Sequence, residues 1–149
     1  MLELIIWMEG FFMKKERYNC DVFFATGCHE QTSDVIVTGN VYMSPGTETS
    51  VNVFAEENFF ATQSKIYGTI MSRGDVQIED SQLKKVDSGG EVIISGKSIV
   101  EQVLAIENLR ITKNVEVKNV RTLGEIWIEI GAKVEKIELA RKVIRYLIG

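Results

Sequence analysis

The chain has 149 residues, an apolar fraction of 45%, a net charge of −4 and a pI near 5.1, which bounds it as one ordinary acidic globular domain. That balance speaks against general nucleic-acid binding, which wants a basic surface. No apolar run reaches the length of a membrane-spanning helix.

The first thirteen residues, MLELIIWMEGFFM, are apolar enough to need a covering. A signal peptide would start positive and end in a small-residue cleavage site, whereas Glu3 precedes the apolar run. Three readings stay open: a cap on the first turn of the fold, a peripheral anchor to a membrane or partner, or a stretch preceding the true start at Met8 or Met13. Cys20 and Cys28, with His29 beside the second, are the only cysteines and the only histidine. They fall short of a zinc ligand set and read as small residues in an ordinary segment. The absence of an Asn-x-Ser/Thr sequon agrees with a cytoplasmic location.

From residue 34 onward a repeat emerges. In DVIVTGNVYMSPGTETSVNVFAEE (34–57), Val35, Val37 and Met43 are assigned to the second, fourth and tenth positions of a turn, and Pro45-Gly46 opens an insertion before Val51 and Val53. In NFFATQSKIYGTIMSRG (58–74), Phe59, Ala61, Tyr67 and Ile70 take the second, fourth, tenth and thirteenth positions.

The pattern is clearest over Asp75 to Arg141, written as DVQIEDSQLKKVDSGG, EVIISGKSIVEQVLAIE, NLRITKNVEVKNVRTLG and EIWIEIGAKVEKIELAR. The first of these is one residue short, and a gap before Leu83 restores its register. The second column then holds Val76, Val92, Leu109 and Ile126, and the fourth holds Ile78, Ile94, Ile111 and Ile128. The tenth holds Leu83, Val100, Val117 and Val134, and the thirteenth holds Val86, Val103, Val120 and Ile137.

Aliphatic columns at such a period are the signature of a solenoid. The second-to-fourth spacing is strand alternation, so both side chains share a face. Position eleven reads Lys84, Glu101, Lys118, Glu135, alternating in sign as stacked neighbours should, and Arg121 falls beneath Glu138. Gly96 and Gly131 sit between strands, with Asn114 in the equivalent place, as residues that accept positive φ at least cost. The tail KVIRYLIG reads as a last strand, with Ile144, Tyr146 and Ile148 alternating with Arg145 and Leu147, or as the end of an amphipathic helix in which Val134, Ile137, Ala140 and Ile144 have helical spacing.

The predicted fold is therefore all-β: a single-stranded parallel β-helix (β-solenoid) of about 17 residues per turn and five to six turns. Residues 1–33 form an N-terminal cap or tail, 34–141 the β-helix, and 142–149 a C-terminal strand or tail.

The segments Val35-Ile-Val-Thr-Gly-Asn-Val41, Ile66-Tyr-Gly-Thr-Ile70, Gly74-Asp-Val-Gln-Ile78 and Gly131-Ala-Lys-Val134 resemble the repeats of bactofilins, polymer-forming cytoskeletal proteins. The resemblance covers roughly residues 34–139. It implies a right-handed triangular β-helix with brief tails, whose subunits join end to end into non-polar filaments without nucleotide, often at a membrane. The repeats here are poorer in glycine, richer in charge and interrupted at Pro45.

Enzymatic readings find little to build on. Hexapeptide acyltransferases also step by six residues, but their coil has eighteen residues per turn and uses a histidine base, whereas His29 precedes the repeat. Glu79 and Glu129 share a column but stand three strand spacings apart, about 14 Å, beyond the reach of a glycosidase pair. Trp127 shares an outward column with Gln77, Ile93 and Arg110, a candidate contact surface.

The expected role is structural: a self-assembling scaffold, not an enzyme, with no cofactor or metal and with itself as partner. A membrane surface is a second candidate partner through the N-terminal segment. Expected contact residues are Ile6, Phe11 and Phe12 at one end and Ile144, Tyr146 and Ile148 at the other. A rigid capped binding module is the alternative, and a hexapeptide-repeat-like acyltransferase the second alternative.

Overall fold

Residues 15–24 and 34–148 are described by the computed structural model of the protein. They run through seventeen strands: β1 (Lys15–Tyr18), β2 (Val22–Phe24), β3 (Asp34–Val37), β4 (Val41–Met43), β5 (Glu48–Thr49), β6 (Val53–Ala55), β7 (Phe59–Thr62), β8 (Lys65–Ser72), β9 (Val76–Glu79), β10 (Gln82–Ser88), β11 (Val92–Ser95), β12 (Ile99–Ala105), β13 (Leu109–Ile111), β14 (Glu116–Thr122), β15 (Glu125–Glu129), β16 (Lys133–Leu139) and β17 (Lys142–Tyr146). The chain lays one rung on the next, so the strands sort into two parallel sheets. The first runs β1-β3-β6-β8-β10-β12-β14-β16 and the second β2-β4-β7-β9-β11-β13-β15-β17, with β5 added beside β8. This is a β-solenoid of about seven turns.

Turn length settles as the chain proceeds. The first turns are the longest, with Val22 paired to Val41 and Val41 to Phe59. Phe59 to Val76 is the first turn of the regular repeat, and Val76 to Val92 falls one short of it. From Val92 through Leu109, Ile126 and Val143 the spacing is constant. The short turn loses its residue at the corner after β9, where Asp80 takes a left-handed φ of 49°. In the following turns that corner holds Gly96, Asn114 and Gly131, all at positive φ, as the residue types had indicated.

The long strands of the first sheet turn a corner of their own. In β10, β12 and β14 the buried residues are Leu83, Val86 and Ser88, then Val100, Val103 and Ala105, then Val117, Val120 and Thr122. A spacing of three followed by two leaves two successive residues outside, where the strand bends. β8 shows the same division, since β5 pairs with Lys65–Ile66 and β6 with Ile70–Ser72. The coil thus has three sides. Glycine is obligatory at one point on this bend: a Cβ on Gly68 would lie 2.0 Å from the Val51 carbonyl oxygen.

Side-chain ladders brace the corners. Where the first sheet passes into the second, the backbone N–H of Asn40 donates to Asp21 Oδ1 (2.8 Å), Asn58 N–H to Asn40 Oδ1 (2.9 Å) and Asp75 N–H to Asn58 Oδ1 (2.8 Å). The ladder continues with Glu91 N–H to Asp75 Oδ1 and Glu125 N–H to Asn108 Oδ1, both 2.9 Å. At the opposite corner Ser64 and Ser81 N–H donate to the hydroxyls of Ser81 and Ser98. Inside, the hydroxyls of Ser72, Ser88 and Thr122 donate to the carbonyls of Glu57, Gly74 and Glu107. These bonds satisfy polar groups that the stacked interior would otherwise strand.

Three expectations are corrected. The coil extends upstream of residue 34, because β1 and β2 already pair in both sheets. Val35 stands in the column of Val53, Ile70 and Val86, the thirteenth rather than the second, and Met43 stands with Ala61 and Ile78 in the fourth. The tenth column takes Ile66, not Tyr67, since Ile66 pairs with Leu83 and a bulge at Tyr67-Gly68 sets the tyrosine outside. Of the two readings of the tail, the structure takes the strand, with Lys142 to Tyr146 paired to β15.

The interior is one continuous cluster that includes Val76, Ile78, Val92, Ile94, Val100, Leu109, Ile111, Val117, Ile126 and Ile128, with Val134 packed against it from the last rung. At about 1.5–3 kcal/mol per buried aliphatic side chain, these columns carry the stability. Val117→Asp places an unpaired charge between Val100 and Val134, and we expect a loss of roughly 3–5 kcal/mol. Lys118→Ser, on the outer side of the same strand, should shift stability by no more than about 0.5 kcal/mol. Urea titrations of both variants read the difference.

Candidate assembly end and outer aromatic face

The coil stops stacking at its C-terminal rung. Among the described residues β16 pairs with β14 alone and β17 with β15 alone, so each leaves one edge unpaired. Side chains at this rung still follow the interior columns but lack a rung above. Val117 and Val120 are fully buried, whereas Val134 and Ile137 one turn later are half-buried. Ile126 is 0% exposed and Val143, in the same column, is 42% exposed.

Of the expected contact residues, Ile144 and Tyr146 share one side of β17. Ile144 pairs with Trp127 and Tyr146 with Glu129, so Ile144 joins the outward column. The ring of Tyr146 meets Trp127 edge-on at 6.2 Å. The inward positions of β17 fall to Val143 and Arg145, and Arg145 stands where Ile128 stood one turn earlier. Ile148 is exposed beyond the strand. Ile6, Phe11 and Phe12 lie outside the described residues, as do Cys28 and His29; Cys20 is an exposed free thiol.

The outward column of the second sheet is more aromatic than the sequence reading found. Register places Phe23, Tyr42, Phe60, Gln77, Ile93, Arg110, Trp127 and Ile144 one above another. Phe23 and Tyr42 stack with centroids 4.5 Å apart, and Tyr42 and Phe60 at 5.0 Å, with planes nearly parallel. The Arg110 guanidinium lies 5.6 Å over Trp127. Phe23 is 68% exposed at the head of the ladder. Trp127, Arg110, Ile93 and Gln77 were legible as a column, which the regular turn from Phe59 extends to Phe60; Tyr42 and Phe23 were not, because their turns are longer than the repeat downstream. On the outer side of the first sheet, Ile36, Phe54 and Met71 form a separate buried cluster.

Glu129, considered as a carboxylate for chemistry, is buried and accepts the Lys113 N–H at 3.1 Å, bracing a corner. Arg121 reaches Glu138 at 4.0 Å, although a register shift sets its backbone against Leu139 rather than Glu138. A shallow groove of about 220 Å³ on the first sheet is lined by Lys85, Asp87, Gln102, Leu104, Asn119 and Arg121, among others. Asp87 stacks between Met71 and Leu104, and burial raises its pKa above the ordinary aspartate value against the opposing pull of Lys85 and Arg121. No group of three or more His, Cys, Asp or Glu residues is placed to hold a metal ion among the described residues. No helix among them is long and apolar enough to cross a membrane.

No protein-family model matches the chain, and comparison with curated proteins and with solved structures likewise returns no match.

An acid whose pKa is raised on folding binds its proton more tightly in the folded state, so stability falls as pH rises from the ordinary aspartate range through the raised value. Asp87→Asn should therefore melt higher than the parent at pH 7 and lose that advantage near pH 3. Thermal melts across this range measure the crossover.

Proposed function

We propose that the protein is a structural solenoid subunit that self-assembles end to end, without nucleotide, in the manner its resemblance to bactofilins implies. The observation that carries this reading is the C-terminal rung, where two strand edges, the half-buried Val134 and Ile137 and the exposed Val143 await a further layer. Stacking another rung there extends both sheets by the backbone bonding that holds every turn below it. It would also bury the columns already begun. Joining at one end alone gives paired rods; joining at both gives filaments.

A second reading draws on the stacked Phe23, Tyr42 and Phe60: a monomeric rod presenting this face to a ligand. Light scattering coupled to size-exclusion chromatography, with negative-stain microscopy, separates the two. End-to-end assembly predicts particles that lengthen with concentration at constant width, and a monomer at high concentration overturns it. Val134→Lys combined with Ile137→Lys should abolish lengthening while circular dichroism still reports a folded coil.

A further inference from the structure

The exposed strand β16 reads as its own complement. Its segment Lys133-Val134-Glu135-Lys136-Ile137-Glu138, laid antiparallel against a second copy about the midpoint of Glu135 and Lys136, sets Lys133 opposite Glu138, Val134 opposite Ile137 and Glu135 opposite Lys136. Every charged residue then meets its opposite, and the inward apolar residues meet each other. The facing also agrees: Val134 and Ile137 stand in the columns of Val117 and Val120, while Lys133, Glu135, Lys136 and Glu138 are exposed. Residues directly opposite in an antiparallel pair share a face, so no side chain has to change sides.

The three-sided geometry supplies an independent check. Glu135 and Lys136 are the two successive outward residues at which β16 turns its corner. A two-fold axis through that corner exchanges the two sides it joins and must cross the middle of the third. Half a turn beyond the corner falls at Ile144, the centre of β17. About that axis β17 also pairs antiparallel with its copy, Ile144 against Ile144. The aliphatic stem of Arg145 then lies against the partner's Val143.

A head-to-tail joint fits less well. Followed rung by rung, the register puts Glu16 of β1 in the column of Ile137, so stacking β1 on β16 would set a carboxylate over that isoleucine.

From these observations we infer that the C-terminal rung is an isologous interface for a second copy of this chain, joined tail to tail about a two-fold axis through the Glu135–Lys136 corner. The inference rests on the self-assembly reading and names its partner and register.

Charge reversal tests it. In Lys133→Glu chains the introduced carboxylate meets the partner's Glu138 twice per pair, and Glu138→Lys chains bring lysine against lysine. Each variant alone should associate about tenfold more weakly than the parent at low salt. An equimolar mixture should recover parental association, because in a pair of unlike chains both contacts set a carboxylate against an ammonium. Sedimentation velocity of each chain and of the mixture reads this directly, with melting curves confirming that both variants fold. A mixture no tighter than its components, or single variants that associate like the parent, overturns the two-fold register while leaving end-to-end assembly standing. A parent chain that stays monomeric overturns both.

Discussion

Backbone hydrogen bonding between like strands fixes the spacing of successive turns at about 4.8 Å, and the rest of the structure follows from that constraint. An inward residue has no freedom to choose its neighbours: it touches the residues one turn above and below. Val100 meets Leu83 and Val117, and Leu109 meets Val92 and Ile126. A single polar intruder is therefore not diluted into a large core but faces two fixed contacts. The hydroxyl residues at Ser72, Ser88 and Thr122 are tolerated because each reaches a backbone carbonyl across the corner.

The same constraint explains how the coil absorbs turns of unequal length. Extra or missing residues are taken up at corners or in a bulge, never in the paired segments that carry the columns. The short turn loses its residue beside Asp80, and β8 gains one at Tyr67-Gly68, where the chain passes against Val51 with no room for a side chain.

That division also decides what the sequence could show. From Val76 to Ile128 the turns are nearly constant in length, so their columns and the position of the gap can be read by eye. Upstream, Val35-x-Val37 has the two-residue spacing of every side of the coil, and local pattern alone cannot say which side it occupies. Its place is decided by pairing with Val53 and Ala55, across an insertion that hides the register. The head of the aromatic ladder was hidden for the same reason, since Phe23 and Tyr42 align with Phe60 only once the longer turns are known. At the C-terminal end alternation was visible but its phase was not: Ile144 and Tyr146 turn outward, leaving Val143 and Arg145 to face in.

The corner ladder of Asp21, Asn40, Asn58 and Asp75 is directional, since each side chain accepts the backbone N–H of the turn that follows. Support therefore passes one way along the rod, from each turn to its successor. The relay changes hands once. Glu91 accepts from the Asn108 side-chain amide at 3.4 Å, and the backbone relay resumes with Asn108 and Glu125. That junction is a seam between a longer N-terminal body and the last rungs. Fraying that starts at the C-terminal edge has a natural stopping point there, so loosening of the last rungs stays local and the body of the rod is spared.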